Sequence, residues 1–192
     1  SLTVKNSEGL RNLYKILTKR NCIWKIVPRS YLEAHRYGLL VGTCDTKVEL
    51  YSLLFNDADT ESIYSKAVFY DYVNLLSDRH AELLKESKII KTISEFRNFN
   101  KFLYKCAIEC NVIPIATCYS KDVSKREFMT TNEMISEFSY LENEKAKEVV
   151  IDNTRKLNME IENVSPIVKA VNHDDLVSST YLSNFDDKTD SF

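Results

Sequence analysis

Glycine and proline are scarce, three of each in 192 residues, so turns and loops have little of their usual punctuation. No apolar run approaches the roughly 20 residues that a membrane-spanning helix needs, and no membrane partner is expected. No charged n-region, apolar core and cleavage site open the chain. The expectation is an intracellular protein, nuclear if its source is eukaryotic. The five cysteines (Cys22, Cys44, Cys106, Cys110, Cys118) are odd in number and irregularly spaced. That spacing speaks against a disulfide framework and for reduced thiols. Catalytic signatures are missing too: GxSxG, HExxH, GxGxxG and GxxxxGK[ST] are all absent.

What is there is an ordinary globular composition, 44% hydrophobic and 28% charged in 22.3 kDa, enough for one domain with a sizeable core. The net charge of −2 hides a dipole. The first 36 residues hold eight bases against two acids, and residues 137–192 hold twelve acids against six bases. Such a layout suits a nucleic-acid or partner surface at one end and an interaction tail at the other. It equally suits a solvated helix face and an acidic tail.

Ser7 is a good N-cap, and Leu10, Leu13, Tyr14 and Leu17 then share one helical face. Asn21 suits the helix end, and 22–27 (CIWKIV) reads as a strand stopped by Pro28. Thr46 with Glu49, Thr92 with Glu95 and Thr130 with Glu133 have capping-box spacing. They predict helices over 47–55, from Thr92 to about Cys110, and from Thr130 through Leu141. The central stretch is KAVFYDYVNLL, then the best amphipathic helix, then ECNVIPIATCY. A β-rich run at 67–70 ending in Asp71, a helix carrying Phe96, Phe99, Leu103 and Cys106, and a second β-rich run at 112–117 make a βαβ unit of a parallel sheet. A competing reading makes Ile63, Ala67, Tyr70, Asn74 and Ser77 one face of a long helix. Near the end, Val149–Ile151 and the alternation of Leu157, Met159 and Ile161 predict an antiparallel hairpin. From about Asp174 the chain turns acidic, and 177–192 is expected to be a mobile tail.

Cys106, Cys110 and Cys118 read as small buried thiols, because no histidine lies close enough in sequence to complete a metal set. His80, four residues from Leu76 and from Leu84, reads as a helix-edge histidine. Asp152, Glu160 and Glu162 could serve a nuclease, but no lysine follows them. Asp71 is the acid with a motif around it. A carboxylate ending a buried parallel strand sits at the rim where α/β proteins bind ligands.

Taken with ECNVIPIATCYSK and KEVVIDNTRKLNMEIENVSPIVKAVNHDD, the AVFYDYVNLL stretch resembles the second half of a RecA-type recombinase core. The resemblance implies an α/β fold: a RecA-like core over 1–176 with a mainly parallel central sheet flanked by helices and a C-terminal antiparallel hairpin. Asp71 would then be a vestigial Walker-B acid, at a nucleotide and metal position. The phosphate loop is replaced by VKNSEGLRN (4–12), with Gly9 and no Lys-Ser/Thr pair. ATP hydrolysis is therefore not expected, and no cofactor, unless Ser1 opens a fragment whose loop lies upstream. The resemblance implies a non-catalytic recombinase paralog that assists filament assembly on single-stranded DNA in recombination and repair. Its partner would be the recombinase or another paralog. Lys121, Lys125 and Arg126 fall where that family places a DNA-contacting loop. The alternative is a single-stranded-DNA-binding or replication accessory protein with a partner-recruiting acidic tail.

Overall fold

In a computed structural model the protein is described over residues 1–23, 26–44, 49–56, 58–118 and 129–165. Strand β1 (Leu2–Val4) leads into α1 (Ser7–Cys22); α2 (Arg29–Ala34), β2 (Leu39–Val41), α3 (Glu49–Phe55) and α4 (Thr60–Ala67) follow. Then come β3 (Tyr72–Leu76), α5 (Asp78–Glu86), α6 (Ile93–Glu109), β4 (Ile113–Thr117) and α7 (Thr131–Glu137). A 3₁₀ turn (Ser139–Leu141), α8 (Asn143–Lys147), a π turn (Glu148–Asp152) and α9 (Asn153–Met159) complete the described part.

β3 and β4 pair in parallel, from Tyr72 opposite Ile113 to Leu76 opposite Thr117. β1 and β2 pair antiparallel, and a parallel bridge between Gly42 and Tyr72 joins the two small sheets. Every residue of β3 is buried. Val73 and Leu75 enter a large core built with Tyr51, Ile63, Phe96, Leu103, Phe138 and Val149 from the helices. Tyr72 enters a small cluster with Leu40 and Leu157, against which Ile113 and Ile115 pack. Period-two alternation thus feeds two faces at once.

Capping explains where the long helices start. Thr92 Oγ1 accepts from the Glu95 amide (3.1 Å) and opens α6. At α7 the box is reciprocal: Thr130 Oγ1 accepts from the Glu133 amide (3.3 Å), and Glu133 Oε2 accepts from the Thr130 amide (2.6 Å). Asn111 then turns the chain into β4 with a left-handed φ of 56°.

Three expected elements differ. Asp59 caps α4 by accepting from the Ser62 amide (2.8 Å), so Lys66 and Ala67 are helical and the strand begins only at Tyr72. The apolar content at 67–70 favours a strand from sequence, whereas the true strand is interrupted by polar Asn74. The expected strand at 22–27 gives way to α1, which runs through Cys22, while residues 24–25 lie outside the described ones. The antiparallel hairpin expected over 149–161 is not formed. That segment is the π turn followed by α9, with Val149 and Leu157 buried eight residues apart on a helical path. Thr46 of the first capping pair and the tail expected over 177–192 lie outside the described residues.

The face that α1 buries is also not the expected one. Gly9 packs so closely on the Gly38 backbone that a Cβ would come within 1.7 Å of the Gly38 carbonyl oxygen. Asn12 Nδ2 donates to the Tyr37 carbonyl (2.9 Å), and Ile16 lies one turn further along the same face. Leu10 and Leu13 of the expected face are half-buried, and Tyr14 and Leu17 are exposed.

The C-terminal end of β3 is closed by side chains. Tyr51 is fully buried, and burial holds its phenol well above the usual range, so it remains a donor. It donates to Asn100 Oδ1 (2.5 Å) and accepts from the Leu76 amide (3.2 Å). Asn100 Nδ2 donates to the Leu76 carbonyl (2.8 Å) and to Tyr140 Oη (2.6 Å). Replacing Asn100 by leucine strands these buried groups together. The expected loss is about 3 kcal/mol, read from the urea midpoint, whereas exposed Arg11→Ala should leave that midpoint nearly unchanged.

Candidate functional site

The C-terminal ends of β3 and β4, the residues after β2 and the first turn of α5 surround a cavity of about 550 Å³. Its walls include Cys44, Asn74, His80, Thr117 and Cys118, with Leu157 of α9 at one side. The polar groups are organised around Asn74. Its amide donates to Thr43 Oγ1 (2.7 Å), its side-chain nitrogen donates to the Thr43 carbonyl, and its Oδ1 accepts from Thr117 Oγ1 (2.7 Å). One asparagine thereby ties the ends of β2, β3 and β4 together. Placing the polar groups of a binding site at strand ends is what parallel layers do. Here, however, the groups are largely bonded to one another.

Two thiols and one histidine complete the walls. Ser77 Oγ donates toward Cys118 Sγ (3.6 Å), which in turn lies 3.1 Å from Met129 Sδ. His80 lies on the first turn of α5 and is buried, and its backbone amide donates to the Ser77 carbonyl (2.9 Å). Among the described residues no group of three or more His, Cys, Asp or Glu is placed to hold a metal ion. Cys106 lies inside the large core, and burial, then the neighbouring Cys110, pushes its thiol up to about 12. As a thiol it is unreactive at neutral pH.

Asp71 stands elsewhere. It directly precedes β3, at the strand's N-terminal end, whereas Thr117 pairs with Leu76 at the other end. The expectation that Asp71 emerges at the C-terminal rim is corrected by that shift of the strand. Its carboxylate accepts from Arg36 Nη2 (2.8 Å) and from the Val41 amide (2.7 Å), and its own amide donates to the Val41 carbonyl (2.7 Å). Arg36 also donates to the Phe69 carbonyl (2.6 Å), and Arg29 lies 3.9 Å over the Phe69 ring. The whole cluster fastens β2 to the start of β3. Lys121, Lys125 and Arg126 lie outside the described residues. Of the nuclease candidates, Asp152 is exposed on the π turn and Glu160 is paired with Lys5 (2.7 Å).

Thr43, Asn74 and Thr117 escaped the sequence reading, although a signal was present. Each is a polar residue within or beside a short apolar run, at a position where burial demands a partner.

No family model matches the chain. Comparison with curated proteins finds relatives named DNA polymerase III PolC-type. In Caldanaerobacter subterraneus subsp. tengcongensis the identity is 29% over 194 residues, covering 87% of this chain and 14% of the relative. In Clostridium perfringens it is 28%, covering 86% and 13%. In Bacillus cereus it is 31%, covering 87% and 14%. The chain thus spans about a seventh of the length of the relatives it matches. These matches overturn the resemblance to RecA-type recombinases, which rested on a few short strings. The role in filament assembly and the recombinase or paralog as partner fall with it. The relatives are bacterial, so the nuclear expectation has no support. Among the described residues no helix is long and apolar enough to cross a membrane.

The clamp around Asp71 has a measurable strength. Asp71→Ala should cost about 2 kcal/mol, because it leaves the Val41 amide and Arg36 without their acceptor. A double-mutant cycle with Arg36→Ala should return a coupling of about 1 kcal/mol, measured by chemical denaturation.

Proposed function

We propose that this chain works in bacterial DNA replication, as the counterpart of one segment of a PolC-type DNA polymerase III. The observation that carries the reading is the extent of the match. Relatives at 27–31% identity align along 86–87% of the chain rather than over one short motif. On this reading the segment contributes a folded unit to a replicative polymerase assembly, inside the cell. Its partners are other replication proteins and DNA. The network around Asn74 and the clamp around Asp71 support such a structural role, since both hold strand ends in place.

Two arrangements satisfy the reading. The chain is either part of a polypeptide about seven times longer, as in the relatives, or a separate accessory protein beside such a polymerase. The extent of the match favours the first. An antibody raised against this sequence should then detect a band about seven times heavier than 22.3 kDa in its native cell, whereas a 22.3 kDa band selects the accessory arrangement. Depleting the protein should cut thymidine incorporation within a generation and leave recombination between marked alleles unchanged. Normal DNA synthesis with impaired recombination would overturn the proposal.

A further inference from the structure

Helix α6 carries a second pattern beside its buried stripe. Lys101, Tyr104, Lys105 and Ile108 stand at i, i+3, i+4 and i+7, one helical face, while Leu103, Cys106 and Ala107 of the same helix fill the large core. Across from that face lie Tyr140 and Leu141 of the 3₁₀ turn and Lys145 of α8, and the two walls enclose a cavity of about 500 Å³. Small-molecule sites span about 300–1,000 Å³. This cavity shares no lining residue with the one at the strand ends. Its walls are held from behind. Tyr104 Oη donates to Glu148 Oε2 (2.7 Å), and Tyr140 Oη accepts from Asn100 Nδ2 (2.6 Å), so both rings are fixed by their far ends. Burial, then the bond to Glu148, pushes the Tyr104 phenol up to about 12, which keeps it uncharged at neutral pH. Leu141 is buried, whereas Ile108 is 47% exposed and offers aliphatic surface to a ligand.

The rim is cationic, three lysines against Glu109 and Glu142. Lys105 pairs with Glu109 (3.7 Å) and Lys145 with Glu142 (3.1 Å), exposed pairs that a stronger anion displaces at little cost. Glu109 also accepts from the Tyr64 hydroxyl. Lys101 has no ion pair among the described residues. We propose that this cavity holds one nucleotide, its base against the Tyr104 and Tyr140 rings and Ile108, its phosphate on Lys101 with Lys105 and Lys145 closing over it. The lining asks for a ligand with a flat apolar body and negative charge at one end, and the choice of a nucleotide among such ligands rests on the replication reading. Aromatic walls accept any base by its face. Lysines bind phosphate as point charges, whereas a carboxylate is best met by the planar fork of an arginine. Arg97, 5.5 Å over the Tyr140 ring, is already committed to Asp78 (2.6 Å). The nucleotide is either a free deoxynucleoside phosphate or the phosphorylated end of a single strand.

Ligand-detected NMR on the full chain tests this, with deoxyadenosine monophosphate and a short 5′-phosphorylated oligodeoxyadenylate as probes. Deoxyadenosine, which lacks the phosphate, and inorganic phosphate, which lacks the base, should each bind about tenfold more weakly than the monophosphate. Lys101→Glu and Ile108→Asp, both at exposed positions, should each lower the affinity about tenfold, and Arg11→Glu on α1 should leave it unchanged. Tighter binding of the monophosphate identifies a free nucleotide as the ligand, and tighter binding of the oligonucleotide a strand end. Affinity weaker than about 1 mM for both probes, an affinity that either pocket variant leaves unchanged, or deoxyadenosine binding as well as its monophosphate would overturn the proposal. Such a failure leaves the thymidine-incorporation result standing. A chain that binds the monophosphate while its depletion spares DNA synthesis sinks the replication reading alone.

Discussion

Strand β3 is the shared wall on which the described structure is assembled. A strand buried on both faces has no water to satisfy its polar groups, so every neighbour must supply a partner. At its beginning, Asp71 bonds both backbone groups of Val41 and draws Arg36 in behind them. Midway, Asn74 bonds Thr43 and Thr117 and so holds the flanking strand ends. At its end, Tyr51 and Asn100 complete the amide and the carbonyl of Leu76. Helices α3 and α6 are fixed in place by supplying those groups, and with them Phe96 and Leu103 in the large core.

That constraint explains which parts of the fold were legible. Elements specified by residues a few positions apart could be read: Thr92 and Glu95 opening α6, Thr130 and Glu133 opening α7, and the run at 112–117 as the strand that forms over Ile113–Thr117. Elements specified across the chain could not. Asn74 looks like a break in an apolar run unless its partners, 31 and 43 residues away, are known. The rotation of α1 depends on Gly9 meeting Gly38, and a helical stripe carries no hint of that contact. Alternation at Leu157, Met159 and Ile161 suggested a strand. The π turn and α9 prevail there because Asn153 reaches the Pro114 carbonyl (2.9 Å) and Leu157 packs on the second face of the sheet.

The candidate site was legible only in part, for the same reason. Asp71 was singled out as an acid ending a strand, and it proved to be an acid beginning one, with its bonds spent on β2. His80 and Cys118 were read as members of a helix and a core, yet both line the cavity at the strand ends. Similarity to known proteins was spread still more thinly. Short strings around Asp71 and 112–117 pointed to recombinases, while the relation to PolC-type polymerases emerges only when most of the chain is compared. Parallel strands with buried aliphatic runs recur in many unrelated folds, so such strings say more about a sheet than about its use.

Native-state hydrogen exchange tests the central claim most directly. If β3 is the wall on which the rest depends, the amides of Val73, Asn74, Leu75 and Leu76 exchange only through global unfolding, with opening energies equal to the stability measured in denaturant. The amides of α1, held mainly through Gly9, Asn12 and Ile16, exchange through smaller openings. Protection that is higher across α1 than across β3 would contradict the account.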